Sequence, residues 1–291
     1  MMSFDRLQTA IRKTRCPLVL DLTTVCGQLP PRLTDEEPEH LLACARRCGE
    51  FLTALKGQLP AVRLDIGMFA LHGAAGMDAL ETLLKQGRND GWYVILNAPA
   101  LLNVSAAENA AAAMLLPGGR LECDAAVISA YGGSDMIRPF LSICAEHDRA
   151  LLCAVRTANR SAGEIQDLMA GPRLVHMAAA DQIERCNPEG TGKFGYSCAG
   201  LTASATSASS LRNLRSKYPD LFILAEGIEN TGGNYKNCAA AFDRFGYGAA
   251  VCAGTSITGA WRKQEGSDDL KAAAEAADAI RKAIGRYVTV L

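Results

Sequence analysis

Leu18-Val19-Leu20-Asp21-Leu22 runs straight into Thr23-Thr24-Val25-Cys26-Gly27, and this junction separates two folds. A short, mostly apolar run of this kind reads as a strand buried on both faces. If it opened a dinucleotide-binding sheet, a Gly-x-Gly-x-x-Gly turn would follow, because a pyrophosphate must approach the backbone closely. That turn is absent, so an open doubly wound sheet is the weaker rival and a barrel is expected. Seven further runs have the same character: Val62–Ile66, Trp92–Leu96, Ala125–Ser129, Leu151–Val155, a weak Phe194–Leu201, Leu221–Ala225 and Ala249–Ala253. Helical patterns lie between them. Glu39–Leu55 sets Leu41, Leu42, Ala45, Cys48, Leu52 and Leu55 on one side, and Met77–Lys85 repeats the pattern. Ser204–Lys217 stops before Pro219, and a last helix over Asp268–Arg286 opens on Ser-Asp-Asp, which suits a cap. Eight strands alternating with helices in 291 residues is the count of a (β/α)8 barrel. No Pro-, Gly- or Ser-rich linker interrupts it, so residues 1–291 are expected to form one domain.

Thirty Lys and Arg against 31 Asp and Glu give a net charge of −1, so no basic surplus exists to neutralise a nucleic-acid backbone. No apolar run is long enough for a membrane span, and the start lacks the apolar core of a signal peptide. A cytoplasmic protein is expected, and its 11 cysteines are read as reduced, mostly buried thiols. Cys44 and Cys48 are spaced as half of a metal site, but no second pair answers them, so no metal is expected.

In a barrel the site residues follow the strands. Gly227, Gly232-Gly233 and Gly254 cluster near the ends of the last two strands, where backbone N–H groups can hold a phosphate; tight turns alone explain the same glycines. Tyr131-Gly132-Gly133-Ser134-Asp135 follows strand four, with Ser134 placed to cap the next helix, and Arg156-Thr157-Ala158-Asn159 follows strand five. Gly190-Thr191-Gly192-Lys193 is only a loop, since Asn187 and Phe194 break the phosphate-loop pattern.

Together these stretches resemble the longer bacterial form of the orotidine 5′-monophosphate decarboxylase family. The likeness rests on Ser3-Phe4-Asp5-Arg6-Leu7, Ala130-Tyr131-Gly132-Gly133-Ser134-Asp135, Arg156–Leu168, Phe242–Ala249 and Ala260-Trp261. It implies a (β/α)8 barrel that works without a cofactor, and a homodimer with two sites at the subunit interface. It also implies two catalytic lysines and two aspartates. Arg63 stands at one lysine place, and Asn97, Pro99 and Leu102 stand at the Asp, Lys and Asp places of the stretch after strand three. Thr23 falls on the family's Asp after strand one. In the phosphate loop Gly227-Ile228-Glu229-Asn230-Thr231-Gly232-Gly233, Thr231 replaces Gln and Glu226 replaces Pro, while Thr255 replaces the phosphate-binding Arg.

The expectation is therefore a diverged, non-catalytic member of the family, with decarboxylation absent or very weak. Its ligand-binding candidates are Thr23, Tyr131, Thr157, Asn159, Glu226, Gly227, Thr231, Gly232, Gly233 and Thr255. Its partners would be a nucleotide-like or phosphorylated small molecule, a second copy of itself, or an active relative. Two alternatives stay open. One is an enzyme of altered chemistry, with Arg63, Asn97, Asn103, Thr157 and Glu226 lining a polar pocket. The other is a working decarboxylase with unusual catalytic groups.

Overall fold

In a computed structural model the eight apolar runs pair edge to edge into a closed parallel barrel. The structure describes residues 1–36, 39–99, 103–229, 231–263 and 268–290. The barrel strands are β1 (Leu18–Asp21), β2 (Ala61–Asp65), β3 (Tyr93–Asn97), β4 (Ala125–Ser129), β5 (Ala150–Arg156), β6 (Ala199–Ser204), β7 (Phe222–Glu226) and β8 (Ala249–Ala253). Each pairs with its sequence neighbour, and β1 closes the ring against β8. The longer helices are α1 (Ser3–Thr14), α2 (His40–Ala54), α3 (Gly73–Asn89), α4 (Ala107–Leu115), α5 (Ser134–His147), α6 (Val175–Cys186), α7 (Ala208–Lys217) and α8 (Asp269–Gly285). Among the described residues no helix is long and apolar enough to cross a membrane.

Strand periodicity sorts each strand's side chains into two sets. Outward-facing Leu18, Leu20, Val62, Leu64, Val94, Leu96, Ile128 and Val251 join the helices in one large apolar cluster. Inward-facing Val19, Ala61, Tyr93, Ile95, Val127, Leu152, Phe222 and Leu224 form a second cluster inside the barrel. Helix α1 closes the amino-terminal end of that inner cluster with Phe4, Leu7 and Ile11. Phe4 stacks on Phe222 with ring centroids 4.6 Å apart. Continuing the inward alternation past this apolar layer brings up Asp21, Arg63, Asp65, Asn97, Ser129 and Glu226, so the polar end of the barrel is the carboxyl end.

Four expectations are corrected. The sixth strand lies at Ala199–Ser204, not Phe194–Leu201, so Ser204 belongs to the strand and α7 begins at Ala208. The turn before it serves the opposite end of the barrel: the N–H groups of Lys193 and Phe194 donate to the Asp5 carboxylate of α1. Ser134 is the first residue of α5 and makes no capping bond; Gly133, at φ +77°, holds the cap position. Arg63, expected at or just beyond the carboxyl end of its strand, lies two residues inside β2, level with the last residue of β1, because β2 runs on to Asp65. The carboxylate of Asp65 accepts the Met68 N–H and starts a short helix, so the chain turns there.

The fourth correction concerns the cysteines. Cys26, in the turn after β1, is disulfide-bonded to Cys44 of α2, with Cα atoms 5.2 Å apart. The other nine are free, and all but Cys186 are buried. The pairing spans 18 residues and depends on the β1 turn folding back on α2, which local pattern does not show.

Candidate active site

The mouth of the barrel is built around Arg63. Its guanidinium donates from Nη2 to Asp21 Oδ2 at 2.5 Å and from Nε to Asp21 Oδ1 at 3.2 Å, a two-pronged fork. Its Nη1 donates to Glu226 Oε1. The side chains of Arg63, Asp21 and Glu226 are 9%, 13% and 16% exposed, so water screens these charges weakly. Burial works against the Asp21 carboxylate, but the Arg63 charge and hydrogen bonds outweigh it and hold Asp21 below the ordinary carboxylate range. Burial likewise opposes the Arg63 cation, and the charges around it, Asp21 first, keep it firmly protonated. Cys252, on the same inner face, is pushed well up by burial and stays a neutral thiol.

A second carboxylate governs the adjoining loops. Glu229, three residues past β7, reaches across to the turn after β8. Its Oε2 accepts the Gly254 N–H at 3.1 Å, and its Oε1 accepts the Ser256 N–H at 3.0 Å and the Ser256 hydroxyl. Convergent backbone N–H groups at a strand-to-helix turn form an anion site. Here a carboxylate of the chain itself sits on those groups. Gly227 makes the local geometry possible. It holds φ +76°, and a Cβ there would lie 2.4 Å from the Ala158 Cβ.

Asp21, Thr24, Gly227, Ile228, Glu229, Thr231, Cys252, Gly254 and Thr255 line a cleft of about 140 Å³. Thr24 and Thr255 face each other with hydroxyls 3.4 Å apart. Of the residues singled out from sequence, Gly227, Thr231, Gly254 and Thr255 line this cleft, and Glu226 adjoins it through Arg63. Thr23 turns its N–H back to Asp21. Asn97 ends β3 and donates its amide to Asp65 Oδ2 at 2.6 Å. Tyr131 donates its hydroxyl to the Val155 carbonyl, and burial pushes its phenol up to about 12. Thr157 and Asn159 bond to each other, and Gln166 holds Thr157 from both sides, so this pair shapes the loop after β5. Asn103 caps the turn before α4 through the Ser105 N–H. Gly233 donates its N–H to the Gly227 carbonyl, as does the Thr231 hydroxyl, so both brace their own loop; Gly232 holds φ +89° in it. Pro99 follows β3, while Leu102 lies outside the described residues.

The sequence reading missed Asp21 and Glu229. Asp21 carried a signal, being the one charged residue in the first apolar run. Glu229 carried a weaker one, an acid in a glycine-rich turn, and nothing local showed that it would bridge two loops.

A closed parallel barrel with its polar residues gathered at the carboxyl ends of the strands is a (β/α)8 barrel. The profile of the orotidine 5′-phosphate decarboxylase / HUMPS family matches residues 106–270, more than half of the chain. The chain belongs to that family. It is 31% identical over 233 residues to the orotidine 5′-phosphate decarboxylase of Roseiflexus castenholzii, spanning 79% of each chain. Against the orotidine 5′-phosphate decarboxylase of Rhodopirellula baltica it is 28% identical over 278 residues, spanning 91% of each. The structure of Leishmania donovani OMP decarboxylase superposes with a TM-score of 0.71 at 24% identity, over 97% of this chain and all of that one, a likeness of fold.

Proposed function

We propose that this chain keeps the family's barrel and does not decarboxylate orotidine 5′-monophosphate. The observation that carries the reading is the Arg63 guanidinium held between Asp21 and Glu226. The resemblance sets Arg63 at a lysine place. Decarboxylation leaves a carbanion on the pyrimidine ring, which needs a cation to stabilise it and an acid to protonate it. Arginine gives up no proton in a protein, and this one is committed to two carboxylates. Asn97 is engaged with Asp65, and Pro99, at the second lysine place, has no ionisable group. Losing one preorganised donor of this kind commonly costs about 3 kcal/mol, over a hundredfold in rate.

Glu229 extends the same reading to the phosphate. Its carboxylate holds the backbone donors that an anion would use, and it would repel one. The cleft of about 140 Å³ is also small beside the ~300–1,000 Å³ usual for small-molecule sites.

The test is release of carbon dioxide from carboxyl-labelled orotidine 5′-monophosphate. Release equal to the buffer blank is expected. Release above the blank that disappears in Arg63→Ala contradicts the proposal. A second reading, an enzyme acting on an uncharged polar molecule, is favoured by the hydroxyls of Thr24, Thr231 and Thr255 around Asp21 and Glu229. Thermal stabilisation by hydroxyl-rich neutral compounds, but not by phosphates, would support it.

A further inference from the structure

Beside the mouth, three residues that the barrel's polar end does not use come together. Cys26, His40 and Cys44 hold their ligand atoms within 4.8 Å of one another. His40 and Cys44 lie one turn apart on α2, a spacing that places both side chains on one helix face. His40 Nδ1 is 3.7 Å from Cys44 Sγ, and Nε2 is 4.0 Å away. Cys26 reaches the same point from the turn after β1, its Cα 5.2 Å from that of Cys44. A second imidazole stands nearby: the His72 ring, just before α3, has its centroid 6.3 Å from that of His40.

The structure joins the two sulfurs as a disulfide. Reduced, the same atoms become two thiolate donors beside one or two imidazoles, the donor set that selects zinc in tetrahedral geometry. With Zn–S near 2.3 Å and Zn–N near 2.0 Å, neighbouring donors of a tetrahedron lie about 3.3–3.8 Å apart. The His40–Cys44 separation of 3.7 Å is already one such edge. Two imidazoles on one zinc hold their centroids about 5 Å apart, so the 6.3 Å between His40 and His72 is wider than that by about 1 Å.

We infer that the reduced protein binds one zinc ion through Cys26, His40 and Cys44 with His72 as the fourth ligand, and that the disulfide is the oxidised, metal-free form of this site. The chemistry balances with a phosphine as reductant. The S–S bond takes up two electrons and breaks, water gives its oxygen to phosphorus, and its two protons go to the sulfurs. Zinc then displaces both thiol protons to solvent as two Zn–S bonds form. Cys26 lies two residues after Thr24 of the cleft, so the metal would pin the β1 turn to α2 at the edge of the mouth.

The test is cobalt(II) titration of the phosphine-reduced, metal-stripped full chain, followed by zinc competition. One equivalent giving intense tetrahedral d–d bands and a thiolate charge-transfer band, bleached by zinc, is expected. Cys26→Ser and His40→Gln should each weaken cobalt at least tenfold, and Cys48→Ser, a buried thiol further along α2, should bind as the parent does. The oxidised parent, which needs no substitution and keeps its fold, should show no thiolate band. Weak octahedral bands alone in the reduced parent, or parent-like affinity in both Cys26→Ser and His40→Gln, would overturn the site. Unchanged affinity in His72→Ala would overturn the fourth ligand.

Discussion

At the scale of the residue, Arg63 decides the character of the mouth. Its fork to Asp21 and its bond to Glu226 let three charges share a poorly hydrated space. Removing one member of a buried group of charges leaves the others uncompensated and costs about 3–5 kcal/mol. Arg63→Met should therefore destabilise the protein by roughly that amount at pH 7. Asp21 titrates below its ordinary range in the folded parent, so the unfolded chain binds the proton first. The parent's stabilisation from this group is present above about pH 4 and is lost as pH falls further. In the variant, burial without Arg63 favours the protonated carboxyl, so acid relieves the repulsion between Asp21 and Glu226. Urea unfolding should then show the gap between parent and variant narrowing from pH 7 to pH 4. A gap that holds constant would mean the Asp21 carboxylate does not sense Arg63.

At the scale of the element, the sequence was readable wherever apolar runs and caps agreed. The strands over Ala125–Ser129 and Ala249–Ala253 appear with the same bounds in sequence and structure. The last helix starts where its acids suggest: Asp268 Oδ1 accepts the N–H groups of Leu270 and Lys271. Asp269, next to it, pairs with Arg32 and with the fully buried Arg47 of α2, tying the end of the chain to the helix that follows β1. Asp268→Ala should cost about 1 kcal/mol, lowering Tm by about 2 °C in calorimetry. No change would mean the salt links alone hold the start of α8. Less legible was β6. Phe194 and Tyr196 are apolar enough to suggest a strand, yet they pack at the closed end of the barrel beside α1, and the strand proper is the small-residue run Ala199–Ser204. Alanine, glycine and serine carry little strand propensity, and barrel closure supplies what local pattern lacks. The Cys26–Cys44 link escaped for the same reason, since its partners meet only when the β1 turn returns to α2.

At the scale of the whole molecule, the two ends of the barrel differ in kind. Phe4, Leu7 and Ile11 of α1 fill the amino-terminal end with apolar surface. The carboxyl end carries ion pairs, Glu229 on the backbone donors of Gly254 and Ser256, and the cleft of about 140 Å³ between them. The sequence located that end correctly through the residues that follow the strands, Gly227 and Thr255 among them. It could not show that the charges there satisfy one another, because Asp21, Arg63, Glu226 and Glu229 come from three strands and a loop. Glu226 also shows why the site cannot be reopened at that position: it is a counter-charge of Arg63. Glu229 is the side chain whose removal should free an anion site. The most direct measurement is calorimetry of uridine 5′-monophosphate with the parent and with Glu229→Ala. The parent should give no binding at micromolar nucleotide. The variant should gain roughly a hundredfold, from two charge-assisted bonds at about 1.5 kcal/mol each. Micromolar binding by the parent, weakened rather than strengthened by Glu229→Ala, would contradict a mouth closed by its own charges.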